Sequence, residues 1–161
     1  MLQLANARLR ACLFRPLPLS HLANASTIDY WRAVSYSIGL PTCSYCSAAP
    51  EDAWVFTEFV SAAPHPNPLA SCHLVVAPRR HVGAFYERDV QEQHMIWEAM
   101  SELCRRITAS IHVEGFDAGF VDAGANDDLD FHTYVHLVPR IPGESVDLPT
   151  DAEWVNLGSQ P

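Results

Sequence analysis

Positive charge, cysteine and long apolar runs are all scarce in this sequence, and each scarcity closes off a class of function. Ten Lys and Arg stand against 19 Asp and Glu, a net charge of −9. No surplus of base is left to neutralise a nucleic-acid backbone. Five cysteines in 161 residues are too few for a disulfide scaffold. Without a clear secretory signal, a close pair of them reads as a metal or redox site before a disulfide. No apolar run nears the roughly 18 residues that cross a bilayer, and there is no internal repeat or low-complexity tract. What is present is an apolar fraction of 48%, which supports a real core in a length that suits one domain with appendages.

The stretch richest in chemistry is FHTYVHLVPR at 131–140. Read as a β-strand, its side chains alternate between faces. His132, Tyr134 and His136 then share one face, with Thr133, Val135 and Leu137 opposite. Two readings stand at this point: a wall of polar rings that does chemistry, or a strand whose histidines are packed and hydrogen-bonded.

Around that stretch the pattern is α+β. Residues 1–38 carry Arg8, Arg10, Arg15 and Arg32, no acid before Asp29, and Pro16 and Pro18 as helix breakers. An organelle-targeting peptide has this composition; so has a loosely ordered extension or a mis-assigned start, the reading preferred, with a cytoplasmic location. The compact domain is expected over 39–155 and a tail over 156–161. Residues 53–60 predict one strand, and 73–78 a short buried strand closed by Pro78. Pro64, Pro66 and Pro68 force a loop between them. Asp89 with Glu92 forms a capping box, and Ile96, Met100, Leu103, Cys104, Ile107 and Ile111 recur at helical spacing. Trp97, like Met100, is read as core. Gly115 and Gly119 lead into a strand at Phe120 and Val121, joined by the loop at 122–130 to the 131–140 strand as a hairpin. From Ile141 the chain, punctuated by Pro and Gly, is expected to wrap the surface.

Cys43 and Cys46 have the two-residue spacing that turns both thiolates toward one ion, and a tetrahedral Zn2+ needs two further ligands. His81 and His132, at element ends, are the candidates; His65, His94 and His112 compete less well. The alternative is a pair of reduced core cysteines.

Together these motifs resemble the histidine triad (HIT) family, in the branch with an N-terminal Cys-x-x-Cys zinc site. The resemblance covers roughly residues 43–155. It includes CSYC at 43–46, CHLVVAPRRH at 72–81, the unbroken run 115–140, and the closing segment ending in Trp154 and Val155. It implies a HIT-like fold: a twisted antiparallel sheet with one long helix and a zinc knuckle, usually paired as a homodimer. It makes Cys43, Cys46, His81 and His132 the ligands of a structural Zn2+, because a closed four-ligand set leaves no open coordination site. In active members the middle histidine of the motif attacks the α-phosphorus of a nucleotide ester, anhydride or phosphoramidate. The last histidine supports phosphate and leaving group. The resemblance puts Tyr134 in the middle position and His136 in the last, with His73, Asp117, Asp127, Asp128 and Arg140 on the substrate side.

The departures alter the chemistry. A phenol with pKa near 10 is ionised in about one molecule in a thousand at pH 7, where imidazole is largely neutral and nucleophilic. Tyr134 therefore needs a base, for which His136 is the candidate. Asp127 and Asp128 replace the family's Gly-Gln pair, with Asp130 behind, and would oppose an anion at close range. Val121 replaces a usual asparagine, and Asp117 stands at a position that is often Asn. The preferred expectation is a degenerate HIT protein that binds a nucleotide or phosphate-bearing molecule without nucleotidyl transfer. The alternative is a hydrolase or nucleotidyltransferase using Tyr134 with His136 on an atypical, amine-bearing substrate. Neither involves nucleic acid or a membrane.

Overall fold

A computed structural model of the chain describes residues 43–122, 131–150 and 152–157. The expected extension at 1–38, and Asp127 and Asp128, lie outside these described residues. Among them run β1 (Val55–Phe56), β2 (Val60–Pro64), β3 (Leu74–Pro78), α1 (Val90–Ser110), β4 (Gly115–Val121), β5 (Tyr134–Arg140) and β6 (Glu153–Asn156). The strands form one antiparallel sheet in the order β1-β2-β3-β5-β4-β6.

The helix starts where the capping box places it. The Asp89 carboxylate accepts the Glu92 N–H, and Glu92 reaches back to the Asp89 N–H. Its buried residues Ile96, Ala99, Met100, Leu103 and Ile107 repeat every three or four positions and pack on β2 and β3. Ile96, Met100, Leu103 and Ile107, taken out of water, contribute about 1.5–3 kcal/mol each, and the single methyl of Ala99 less. Across the interface, Ala62, Leu74, Val76, Ala118, Val135 and Leu137 form the covered face of the sheet. By the period of two, Gly119, Tyr134 and His136 belong to the opposite face, away from the helix.

Five expectations need correction. The predicted strand at 53–60 is broken: the Thr57 hydroxyl accepts the N–H groups of Phe59 and Val60, so 57–59 turn the chain and β1 folds back on β2. The strand expected at Phe120 begins instead at Gly115, because both glycines fit the pairing with β5. The motif strand begins at Tyr134, leaving His132 ahead of it. The surface tail becomes β6, paired to β4 from Asp117 to Phe120. Trp97 is also no core residue: it is 41% exposed and touches Phe120 at the rim, with ring centroids 5.8 Å apart.

Candidate functional site

The path of the chain after β3 brings the four metal-ligand candidates together. Arg80 grips Glu92 at the start of α1 with both Nε and Nη2, at 2.7 and 2.6 Å, which anchors the turn carrying His81. The Thr133 N–H donates to the Val82 carbonyl at 2.8 Å, so His132 arrives beside His81. The turn at 43–46, closed by the Ser47 N–H on the Cys43 carbonyl, completes the group.

The distances suit one tetrahedral ion. Cys43 Sγ lies 3.2 Å from His132 Nδ1, and Cys46 Sγ lies 3.3 Å from His81 Nδ1 and 3.4 Å from His132 Nδ1. Bond lengths of about 2.3 Å to sulfur and 2.05 Å to nitrogen give S···N separations of about 3.5 Å across a tetrahedron. The ring of His132 is also in the required tautomer. Its Nε2 donates to the buried Pro78 carbonyl at 3.0 Å, leaving the Nδ1 lone pair aimed at the thiols, as a metal-ligating imidazole needs. Burial, the neighbouring His81 and Arg88 outweigh that bond and hold His132 down to about 4. The donor set of two thiols and two imidazoles fits Zn2+.

Behind this group, Arg88 is 3% exposed and donates to the Thr133 hydroxyl at 2.9 Å, which donates in turn to Asp122 at 2.6 Å. Burial pushes its guanidinium down to about 10. Among the described residues its Nε and Nη1 find no hydrogen-bond partner although both are buried, and the Phe85 ring lies 4.5 Å below the guanidinium carbon. This chain of contacts fixes the backbone between His132 and Tyr134.

A second cluster occupies the sheet face away from α1. His73 Nδ1 accepts the Leu69 N–H at 3.1 Å, so its proton sits on Nε2 and is donated to His136 Nδ1 at 2.9 Å. His136 in its neutral form therefore carries its own proton on Nε2. His65 stacks on His73, with centroids 4.4 Å apart and planes within 5°. Burial, reinforced by His65 and His136, lowers His73 to about 3, so it stays neutral at any ordinary pH. His65, His73 and His136 approach closely enough to be considered for a metal. Two features argue against it: His73 Nε2 holds a proton that its Leu69 contact keeps there, and lone pairs of stacked parallel rings do not converge.

Aromatic rings border this cluster. Tyr134 meets His136 edge to face at 5.1 Å, and Tyr45, from the cysteine turn, meets Tyr134 at 5.0 Å. From β6, Trp154 lies against His136 at 5.6 Å with planes 14° apart. The indole rests over Gly119, where a methyl group would come within 2.8–2.9 Å of three indole carbons.

His73 thus joins Tyr134 and His136. Asp117 and Arg140 do not join them: they pair with each other at 2.5 Å. Arg140 also donates to the Phe116 carbonyl and to Asn156, about 14 Å along the strand from His136. Sequence reasoning missed His65 and Trp154 as neighbours of His136, and Tyr45 as a neighbour of Tyr134. The period-two relation of Tyr134 to His136 carries no sign of residues from distant loops. Cys72, just before His73, has φ 61°, a left-handed conformation that glycine adopts freely and cysteine at a cost of about 1 kcal/mol.

No family model matches the sequence, and no match emerges among curated proteins. Solved structures do match. A zinc-bound histidine triad family protein from Mycobacterium smegmatis is 20% identical, with a TM-score of 0.56, over 68% of this chain and 83% of that one. A HIT family member from Bacillus subtilis is 19% identical, with a TM-score of 0.55, over 68% and 82%. A histidine triad nucleotide-binding protein from Candida albicans is 16% identical, with a TM-score of 0.53, over 70% and 86%. At these identities the likeness concerns the fold. The chain has the HIT-like fold: an open antiparallel sheet of six strands with one long helix, and a Cys/His cluster able to bind zinc.

Proposed function

We propose that this chain is a histidine triad protein whose pocket takes a nucleotide or another phosphate-bearing small molecule without carrying out efficient nucleotidyl transfer. The fold and the Cys/His group support the family reading, and the order His132, Tyr134, His136 supports the assignment of positions. On this reading Cys43, Cys46, His81 and His132 hold a structural Zn2+, which supplies rigidity and no reacting site. The homodimer implied by the resemblance, and the cytoplasmic location preferred from the composition of residues 1–38, go with it.

One observation carries the loss of activity: the proton order set by Leu69, His73 and His136. The Leu69 N–H fills His73 Nδ1, and His73 Nε2–H fills His136 Nδ1. Neutral His136 can then offer only an N–H donor elsewhere. A donor holds a phosphate oxygen well, yet it does not remove the proton of Tyr134. A phenol without a base is a poor nucleophile at neutral pH. The second reading, Tyr134 acting with His136 on an atypical substrate, draws support from their edge-to-face contact at 5.1 Å.

Hydrolysis of an adenosine phosphoramidate and a dinucleoside polyphosphate separates the two readings. Wild type is expected to stay at background while binding AMP with micromolar affinity by calorimetry. Turnover by wild type that Tyr134→Phe abolishes supports the second reading and overturns the first.

A further inference from the structure

We propose that Glu144 is a positioning residue for the His73–His136 pair: by holding the turn before β3, it maintains the proton order of the two rings. The inference deepens the reading of that pocket and rests on the proton order described for it. Two tight turns lie at the same end of the sheet. One precedes β3, where the His73 N–H closes on the Ala70 carbonyl at 3.2 Å. The other follows β5, where the Glu144 N–H closes on the Ile141 carbonyl at 3.0 Å. In the second turn, Pro142 suits the second position and Gly143, at φ 82°, the left-handed third. The first turn has Cys72 in that place, at φ 61°, where a side chain is disfavoured. A turn of that kind holds its shape less well by itself.

Glu144 supports it with both carboxylate oxygens. Oε2 accepts the Ser71 N–H at 2.9 Å, and Oε1 accepts the Ser71 hydroxyl at 2.7 Å. An ionised acceptor makes such bonds roughly twice as strong as neutral ones. The β3–β5 ladder ends at Leu74 and Leu137, so this clasp ties the two chains beyond their last paired residues. The Leu69 N–H reaches His73 Nδ1 at 3.1 Å because the turn folds the chain back between them, and Ser71 sits midway. Glu144 therefore acts on the pocket from outside it. If the turn relaxes and the Leu69 N–H withdraws, His73 is free to hold its proton on Nδ1. Its Nε2 would then accept from His136 Nδ1 instead of donating to it.

The test uses the full chain purified without chelator, at about pH 8, where unperturbed imidazoles are neutral. Glu144→Ala, Glu144→Gln and Ser71→Ala are compared with wild type and with Asp147→Asn, a control whose native residue is exposed in the same segment. NMR reads two quantities: hydrogen exchange of the Leu69 amide, and the ring nitrogen shifts that report where His73 and His136 carry their protons. Wild type should show both rings protonated on Nε2. In Glu144→Ala, Leu69 exchange should quicken about five-fold, the worth of one hydrogen bond, and both rings should move toward the Nδ1-protonated form. Ser71→Ala, which keeps the N–H bond, should move the same way by less. Glu144→Gln should restore most of the wild-type pattern, because its amide can accept from the Ser71 N–H and donate to the hydroxyl. Asp147→Asn should match wild type. Ring shifts equal to wild type in Glu144→Ala overturn the proposal, even if Leu69 exchanges faster, since the clasp would then be structural only. Should Glu144→Ala not fold, Ser71→Ala decides by the same criterion. A wild-type His136 protonated on Nδ1 refutes the proton order itself, and with it the reading of the pocket, before any variant is compared.

Discussion

Two imidazole clusters share this sheet, and they use their nitrogens in opposite ways. In the first, His81 and His132 turn Nδ1 lone pairs toward two thiols, and a carbonyl behind His132 removes the competing proton. In the second, His65, His73 and His136 stack or pass N–H donors from ring to ring. Residue type does not separate the clusters, since both are rich in histidine. What separates them is the group behind each ring. A carbonyl acceptor behind His132 frees the front nitrogen for a metal; an amide donor behind His73 puts the proton at the front.

The largest effect comes from breaking the first cluster. If the cluster holds the structural zinc proposed above, Cys46→Ala should lose the metal and cost several kcal/mol, because the free energy of binding such an ion is folding energy. His65→Ala should keep one equivalent. Metal analysis and thermal unfolding check both, and equal metal loss in the two variants would erase the distinction drawn between the clusters.

The second effect is on pH dependence. His73 titrates near 6.5 when unfolded and at about 3 when folded, chiefly through burial. Between those values the unfolded chain binds a proton there that the folded chain refuses. Stability therefore falls as pH drops from 6.5 toward about 3, by up to about 1.4 kcal/mol per pH unit, and the group contributes no slope well above 6.5. Urea unfolding between pH 7.5 and 5 should show a shallower slope in His73→Gln than in wild type. Acid titration of the zinc ligands is common to both forms, so the difference isolates His73. Identical slopes would mean that His73 titrates normally.

The smallest expected effect sharpens the border of the second cluster. Gly119→Ala should displace the Trp154 indole, with a stability loss of about 1–3 kcal/mol from overpacking. Zinc content should not change. Tryptophan fluorescence and His136 ring shifts report the displacement, and an unaltered spectrum would place the indole elsewhere.

Much of the fold is legible in the chain. Asp89 and Glu92 mark the start of α1, and the spacing of Ile96, Met100, Leu103 and Ile107 gives its buried face, because both signals are local. Strand boundaries were less legible. Thr57 reads as a strand residue by propensity, yet its hydroxyl satisfies two amides and makes a turn. β6 was invisible because a strand of four residues with three of them exposed has little pattern to show. It exists because Gly119 leaves room for Trp154 on the neighbouring strand.

By itself, then, the sequence determined which groups are available: two cysteines two residues apart, a His-x-Tyr-x-His alternation, a capped amphipathic helix and an acidic balance. These follow from spacing and residue type, which local geometry turns directly into shared faces and shared turns. Only the tertiary structure decided how the groups are used. It set the protons of His132 and His73 through backbone partners at Pro78 and Leu69, placed His65 and Trp154 beside His136, and brought Tyr45 against Tyr134 and His132. A ring's tautomer depends on whatever lies behind it, and that neighbour comes from elsewhere in the fold.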